Sequence, residues 1–337
     1  MRIATYNIEW FANLFDRADH LTADDLPSGH DGSSRAQQAE ALATVFRALD
    51  ADALMIVEAP NTGRKQNTIR ALEGFAQEYG LRTTAAAMGF PSPTHQELAL
   101  LYDPAKLSAE HDPRGRVAGP DGSARAPRFD GAFRIDLDAD GQQDLVRFSK
   151  PPMELALTTA SGTALRLIGV HLKSLSPRRT GTHDEIMARL IADRRKQLAQ
   201  AVWIRSRIDM HLAEGDHVIL MGDLNDGPGL FAFEDLFSRS SFEILLGREM
   251  HDPHARAALQ RPGAGHPTTT RYKLEDGKRY AQALMDYAML SPGLVERGAR
   301  WRVWHPFDDV ECWETPALRD ALLAASDHFP VTVDLEI

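Results

Sequence analysis

Several short apolar runs in this chain each stop on a residue that carries chemistry. Ala53-Leu54-Met55-Ile56-Val57 ends at Glu58, Leu165–Val170 delivers His171, and His217–Met221 runs into Gly222-Asp223-Leu224-Asn225. Ser326-Asp327-His328-Phe329-Pro330 stands before Val331–Leu335, and Asp286 lies inside the run Leu284–Leu290. Runs of this length are too short for helices. They read as strands, and Ala53–Val57, a continuous apolar run, as one buried on both faces. They constrain the chain to a fold in which sheets are covered on each side.

Helices that supply the cover are spaced between the runs. Apolar residues at Ala39, Leu42, Ala43, Val45, Phe46 and Leu49 predict a helix over Ser34–Leu49. A second, over Asn67–Tyr79, stops at Gly80, and Asp184–Leu212 predicts a long one. Arg2–Ile8, Leu98–Tyr102, Phe129–Leu137 and Met153–Thr159 complete the expected strands. The mixture suggests α/β architecture with stacked sheets flanked by helices rather than strict βαβ winding. The 337 residues read as a single domain with loop insertions near 103–127, 240–280 and 292–325. Short helices and Gly/Pro-rich loops are expected over 227–282, and 292–325 reads as irregular.

Composition narrows the classes. A net charge of −10 argues against a surface built to wrap polyanions. The single cysteine, Cys312, excludes an intrachain disulfide and Cys-rich zinc sites. No apolar run approaches the roughly 18 residues that a membrane helix needs. Met1 leads directly into a strand pattern, with no signal-peptide signature. The expectation is a soluble, cytoplasmic protein without a membrane span or an evident obligate protein partner.

The polar residues at the strand ends form a chemical set. Asn7 ends the opening strand, and its carboxamide offers donors to a phosphate oxygen without adding charge. Glu9, two residues on, reads either as an acid supporting the site from behind or as a solvated one. Glu58 emerges from a buried strand and suits a hard divalent cation, which prefers oxygen ligands. His171 can donate to a phosphate oxygen, with Lys173 close by. In Gly222-Asp223-Leu224-Asn225, the glycine permits close backbone approach, and Asp223 and Asn225 share one face. Asp286 is a carboxylate in an apolar strand, costly unless partnered. An imidazole is its natural partner, and His328 is assigned to it, which leaves Asp327 for a metal. Taken singly, most of these residues are more often structural; it is their recurrence at strand ends that points to one site.

Together, Thr5-Tyr6-Asn7, Ile56-Val57-Glu58, Gly169–Ser174, Met221–Asp226, Met285-Asp286-Tyr287 and Ser326–Pro330 resemble the endonuclease/exonuclease/phosphatase superfamily, the DNase I-like group. The resemblance implies a four-layered α/β sandwich with two packed mixed β-sheets flanked by helices. It implies hydrolysis of phosphate esters with Mg²⁺ or Mn²⁺, as one or two ions. It assigns Glu58, with Asp327 or Glu9, to the metal. Asn7 and Asn225 are assigned to the phosphate, and Asp223, His328, Asp286 and His171 to catalysis; Lys173, beside His171, is a further candidate for the phosphate, with a solvated loop lysine as the plainer reading. In some members an acid on the central strand supports the histidine matching His171. Here Gln96 or Glu97 is the candidate, and a one-residue slip decides which.

The expected activity is that of a metal-dependent phosphodiesterase, or phosphatase, using an activated water. Asp223 positions or deprotonates that water, and His328 acts as base or phosphate stabiliser. A nuclease acting on DNA or RNA and a catalytically silent scaffold are the alternatives. Arginines at 189, 194, 195, 205 and 207, with Lys196 and the preceding Arg178 and Arg179, either track a nucleic-acid backbone or form a solvated face paired with Asp184, Glu185 and Asp193. The second is the preferred reading. Trp301, Trp304 and Trp313 are expected to pack under loops rather than stack on bases.

Overall fold

The computed structural model describes residues 1–175, 181–230, 237–260, 267–274 and 277–337. In chain order its elements begin with β1 (Arg2–Asn7), α1 (Arg35–Leu49), β2 (Ala53–Ala59), α2 (Thr68–Glu78), β3 (Ala85–Met88), β4 (Glu97–Tyr102) and β5 (Leu107–His111). There follow β6 (Phe133–Ile135), β7 (Asp144–Val146), β8 (Met153–Thr159), β9 (Ala164–His171), α3 (His183–Ala213), β10 (Val218–Asp223), α4 (Ser241–Leu246) and α5 (Pro253–Gln260). The chain closes with β11 (Thr270–Lys273), β12 (Tyr280–Ala283), β13 (Asp286–Leu290), α6 (Pro292–Val295), β14 (Arg300–Val303), α7 (Val310–Glu314), α8 (Pro316–Ala325) and β15 (Val331–Asp334).

Two mixed sheets face each other, one of six strands in the order β14-β15-β1-β2-β4-β3 and one of five in the order β13-β10-β9-β8-β5. Because side chains alternate along a strand, each apolar run feeds two layers. Met55 and Val57 point between the sheets, where they meet Met153, Leu155, Leu167, Ile219 and Met221. Leu54 and Ile56 point outward and are covered by Leu42 and Phe46 of α1, Phe75 of α2 and Leu322 of α8. On the opposite flank, Ile168, Val170, Val218 and Leu220 are covered by Trp203, Ile204 and Ile208 of α3. The result is the four-layered α/β sandwich expected from the sequence. β1 and β2 run parallel across α1, and β9 and β10 parallel across α3. Both connecting helices start on complete capping boxes, at Ser34 with Gln37 and at Thr182 with Glu185.

Some expectations change. Residues 103–127 are not all surface excursion, because β5 pairs with β8 at the edge of the second sheet. Residues 292–325 are not irregular: they supply β14 to the first sheet, and α8 packs on α1. The sequence Arg300-Trp301-Arg302-Val303 hid its strand because an edge strand alternates apolar with charged residues. The strand expected over Phe129–Leu137 is confined to Phe133–Ile135, since the chain turns at Asp130-Gly131. Within 227–282, the hairpin β11–β12 appears where only helices and loops were expected. Residues 231–236, 261–266 and 275–276 of that segment lie outside the described residues, as do Arg178 and Arg179.

The arginine face of α3 is corrected as well. Arg194 and Arg207 are buried, not solvated. Arg194 pairs with Asp226 at 2.7 Å, and Arg207 with Glu154 at 2.5 Å. Trp304 is buried with its N–H on Thr332 Oγ1, and Trp301 donates to the Ala288 carbonyl, while Trp313 is exposed. No helix among the described residues is long and apolar enough to cross a membrane.

Candidate active site

The polar strand ends meet at one edge of the sandwich. Asn7 is the last residue of β1, Asp223 the last of β10, and His171 the last of β9. Strand register sets Asp223 opposite His171 on one side and Asp286, the first residue of β13, on the other. Gly222 makes that alignment possible. Its φ is 134°, and a Cβ there would lie 2.0 Å from the Val170 carbonyl oxygen. Glu58 sits at a register shift between β2 and β4 with φ 63°. A bulge of this kind re-aims a side chain at the end of a strand.

The side chains then interlock. Asn7 Nδ2 donates to Asp223 Oδ2 at 3.0 Å, joining the two sheets directly. The backbone N–H of Asn225 donates to Asp223 Oδ1 at 2.7 Å, and its Nδ2 to Asp223 Oδ2 at 3.1 Å. His171 Nε2 lies 3.5 Å from Asp223 Oδ2 and 4.0 Å from Glu58 Oε1. His328 Nδ1 meets Asp286 Oδ2 at 2.8 Å, the pairing anticipated from the sequence. The Asp286 backbone N–H is held by Thr269 Oγ1. Ser326 fixes the approach of the last loop. Its hydroxyl donates to the Asn7 carbonyl at 2.8 Å and accepts from the backbone N–H groups of Glu9 and His328.

Burial and crowding set the charges. Burial, reinforced by Asp286, pushes the Asp223 carboxyl up to about 6 despite the opposing His328 charge. Burial also raises Glu58, to about 7, against the pull of a lysine and His328. Burial works against a charged His328, but Asp286, Asp327 and Asp223 outweigh it and hold the imidazole well above its ordinary value. His328 is therefore an imidazolium near neutral pH. His171, fully buried beside an ammonium, is held well below its ordinary value and stays neutral.

That ammonium is Lys150, which the sequence reading missed. Its Nζ lies 2.7 Å from His171 Nε2, and burial lowers it to about 8. A neutral His171 accepts there with Nε2, so its ring proton sits on Nδ1. Lys173, expected at the phosphate, instead pairs with Asp193 at 3.1 Å and with the Ser174 carbonyl. Lys150 lies in Ser149-Lys150-Pro151-Pro152, ahead of the start of β8 rather than at the end of an apolar run, so the pattern of strand ends did not mark it. Glu9 has both oxygens engaged, Oε1 by Trp10 Nε1 and Oε2 by His30 Nδ1, each at 2.8 Å. His30 also went unremarked. Among the described residues neither Gln96 nor Glu97 bonds His171. Glu97 is turned to the backbone N–H groups of Thr62 and Ser92, at 3.1 and 2.7 Å.

The donor set fits a hard divalent cation. Asn7 Oδ1 and Asp327 Oδ1 are buried oxygens without a hydrogen-bond partner, and Glu58 is a strand-end carboxylate whose nearest ion-pair contact is His171 at 4.0 Å. All are oxygen ligands of the type Mg²⁺ and Mn²⁺ take. Two tighter groups with metal-ligand atoms lie elsewhere among the described residues: His211, Glu214 and Asp216, and Asp136, Asp138 and Asp140.

The model of the Endonuclease/Exonuclease/phosphatase family matches residues 4–328. The fold is similar to that of a 3′-5′ exonuclease, NExo, from Neisseria meningitidis (15% identity, all of both chains covered, TM-score 0.52). It is similar to TDP2 from Caenorhabditis elegans (15% identity, 98% of this chain and 74% of that chain, TM-score 0.51). A mannosyl-6-phosphatase from Bacteroides thetaiotaomicron also matches (13% identity, 99% of each chain, TM-score 0.50). No match was found among curated proteins.

Proposed function

The chain belongs to the endonuclease/exonuclease/phosphatase family, and from that premise we propose that it is a divalent-metal phosphodiesterase working by in-line attack of water. The observation that carries this reading is the Asp223 carboxylate. It is oriented by Asn7, from β1 of the facing sheet, and by Asn225, from the loop after β10, and stands beside His171.

With a value of about 6, Asp223 is ionised at neutral pH yet basic enough to accept a proton. Water attacks phosphorus as the bond to the leaving oxygen breaks. The water proton passes to Asp223, and the departing alkoxide is protonated from solvent. The His328 imidazolium, fixed by Asp286, stabilises the charge that builds on the phosphoryl oxygens, so its role here is electrostatic rather than basic. Lys150 adds a second cation on the His171 side. Glu58, Asn7 and Asp327 would hold the metal ion, which supplies Lewis-acid polarisation of a nonbridging oxygen when bound. Glu9, engaged by His30 and Trp10, supports the pocket wall in this scheme.

The neighbours whose names describe an exonuclease and a phosphatase support phosphoester chemistry without choosing a substrate. A TDP2 from D. rerio similar in fold was solved with a single-strand DNA product, which favours nucleic acid among the possible substrates. The test is turnover of bis-p-nitrophenyl phosphate and p-nitrophenyl phosphate with Mg²⁺ or Mn²⁺, then in EDTA. The diester is expected to be cleaved, with loss of activity in EDTA. Asp223→Asn is expected to reduce turnover by about 10²–10⁴-fold, as loss of a general base does. Robust turnover in EDTA, or an active Asp223→Asn enzyme, contradicts the proposal.

A further inference from the structure

Trp10, three residues past Asn7, is in an unusual state. It is 50% exposed. Its φ is 60°, in the left-handed region that strains any side chain with a β-carbon and that glycine fills freely. An exposed, bulky ring held there invites a functional reading, since strain of this kind persists only where the surroundings over-determine it.

The surroundings do. The indole N–H donates to Glu9 Oε1 at 2.8 Å. Glu9 Oε2 meets His30 Nδ1 at 2.8 Å, and His30 Nε2 meets the Leu323 carbonyl at 2.9 Å. Both ring nitrogens of His30 thus face acceptors, which demands an imidazolium and makes the clamp on Glu9 ionic. Gly29 completes the seat, because a Cβ there would lie 2.8 Å from Trp10 Cγ. The ring is fixed along its N–H edge and backed by glycine. Glu9 is followed directly by Trp10 and sits two residues past Asn7, with its backbone N–H on Ser326, next to Asp327. The indole is therefore joined through Glu9 and Ser326 to the loop that carries Asp327 and His328.

We propose that Trp10 is a stacking platform for a nucleobase attached through its sugar to the scissile phosphate, so that the substrate is a nucleotide diester. This rests on the phosphodiesterase reading above and narrows it. A sugar-binding platform needs neighbouring polar groups for hydroxyls. Here the indole N–H and one acceptor site on each Glu9 oxygen are taken up by one another and by His30, so the ring offers chiefly its π-face. Every base offers a matching face, so recognition of this kind tolerates any sequence. It also needs no positive surface track, in keeping with a chain of net charge −10.

The test measures kcat and KM with Mn²⁺ on three diesters: thymidylyl-thymidine, its analogue with both bases replaced by hydrogen, and a methyl diester of a hexose 6-phosphate. Wild type, Trp10→Phe and Trp10→Gly are compared. Glycine suits φ 60°, so Trp10→Gly is expected to keep the wild-type melting temperature, and loss of fold does not confuse the result. Wild type is expected to prefer the base-bearing dinucleotide by about tenfold in kcat/KM, expressed in KM, as stacking on one base gives. Trp10→Phe retains most of that preference and Trp10→Gly loses it. A preference unchanged in Trp10→Gly overturns the platform, as does a loss equal on both dinucleotides. A hexose preference that Trp10→Gly abolishes overturns the nucleobase assignment. Wild-type turnover of none of the three refutes the phosphodiesterase reading, and the platform falls with it.

Discussion

A methyl group on Gly222 would press into the Val170 carbonyl at 2.0 Å, and the neighbour is backbone that cannot swing away. Gly222→Ala is therefore expected to destabilise the protein by about 2–4 kcal/mol, in the range of strain at a special backbone position. A urea titration checks it, and an unchanged midpoint contradicts it. Residues of this kind were legible. Asp223, Asn225, Asp286 and His328 announced themselves because each ends or interrupts an apolar run, where a polar group needs a reason. Lys150, His30 and Trp10 did not. Their roles come from loops whose paths are set by tertiary packing, and no periodicity reports where a loop side chain lands.

Elements show the same division. α3 was evident from its length, but the fate of its arginines was not, because a helical face rich in charge looks alike whether it meets water or a buried acid. Arg194 and Asp226, 1% and 0% exposed at their side chains, tie α3 to the loop after Asp223. Asp226 Oδ2 also accepts from the backbone and hydroxyl of Ser241 at the start of α4. Removing one partner of a buried ion pair strands the other charge. Arg194→Met is expected to cost about 3–5 kcal/mol, and adding Asp226→Leu to recover part of that loss. Thermal melts of the single and double variants decide it; equal stabilities would mean that the pair is not isolated from water. α8 was overlooked although Leu318, Ala321, Leu322 and Ala325 keep helical spacing behind Pro316, a start signal that was present in the sequence.

Across the whole molecule, the two-sided burial of the central strands dictated the sandwich, and the edges escaped notice because charge dilutes their pattern. One contact inside the first sheet closes the chain on itself. Arg2 grips Asp334 through Nε at 2.8 Å and Nη2 at 3.1 Å, joining the first strand to the last. The hydrogen bond from Arg2 holds the Asp334 carboxyl below its ordinary value. A depressed carboxyl contributes stability that is present above its unfolded value and lost as pH falls through the folded one. Asp334→Asn should therefore lower the melting temperature at pH 7, and the gap from wild type should close below about pH 4. A gap independent of pH would contradict the charge-based clamp.

The convergence of strand ends from both sheets on one cation and one phosphoryl group is tested most directly by anomalous diffraction from crystals grown with Mn²⁺ and phosphate. A manganese peak is expected among Glu58, Asn7 and Asp327, with the phosphate between it and His328. Manganese found only at Asp136, Asp138 and Asp140 or at His211, or phosphate bound away from Asp223, would contradict it.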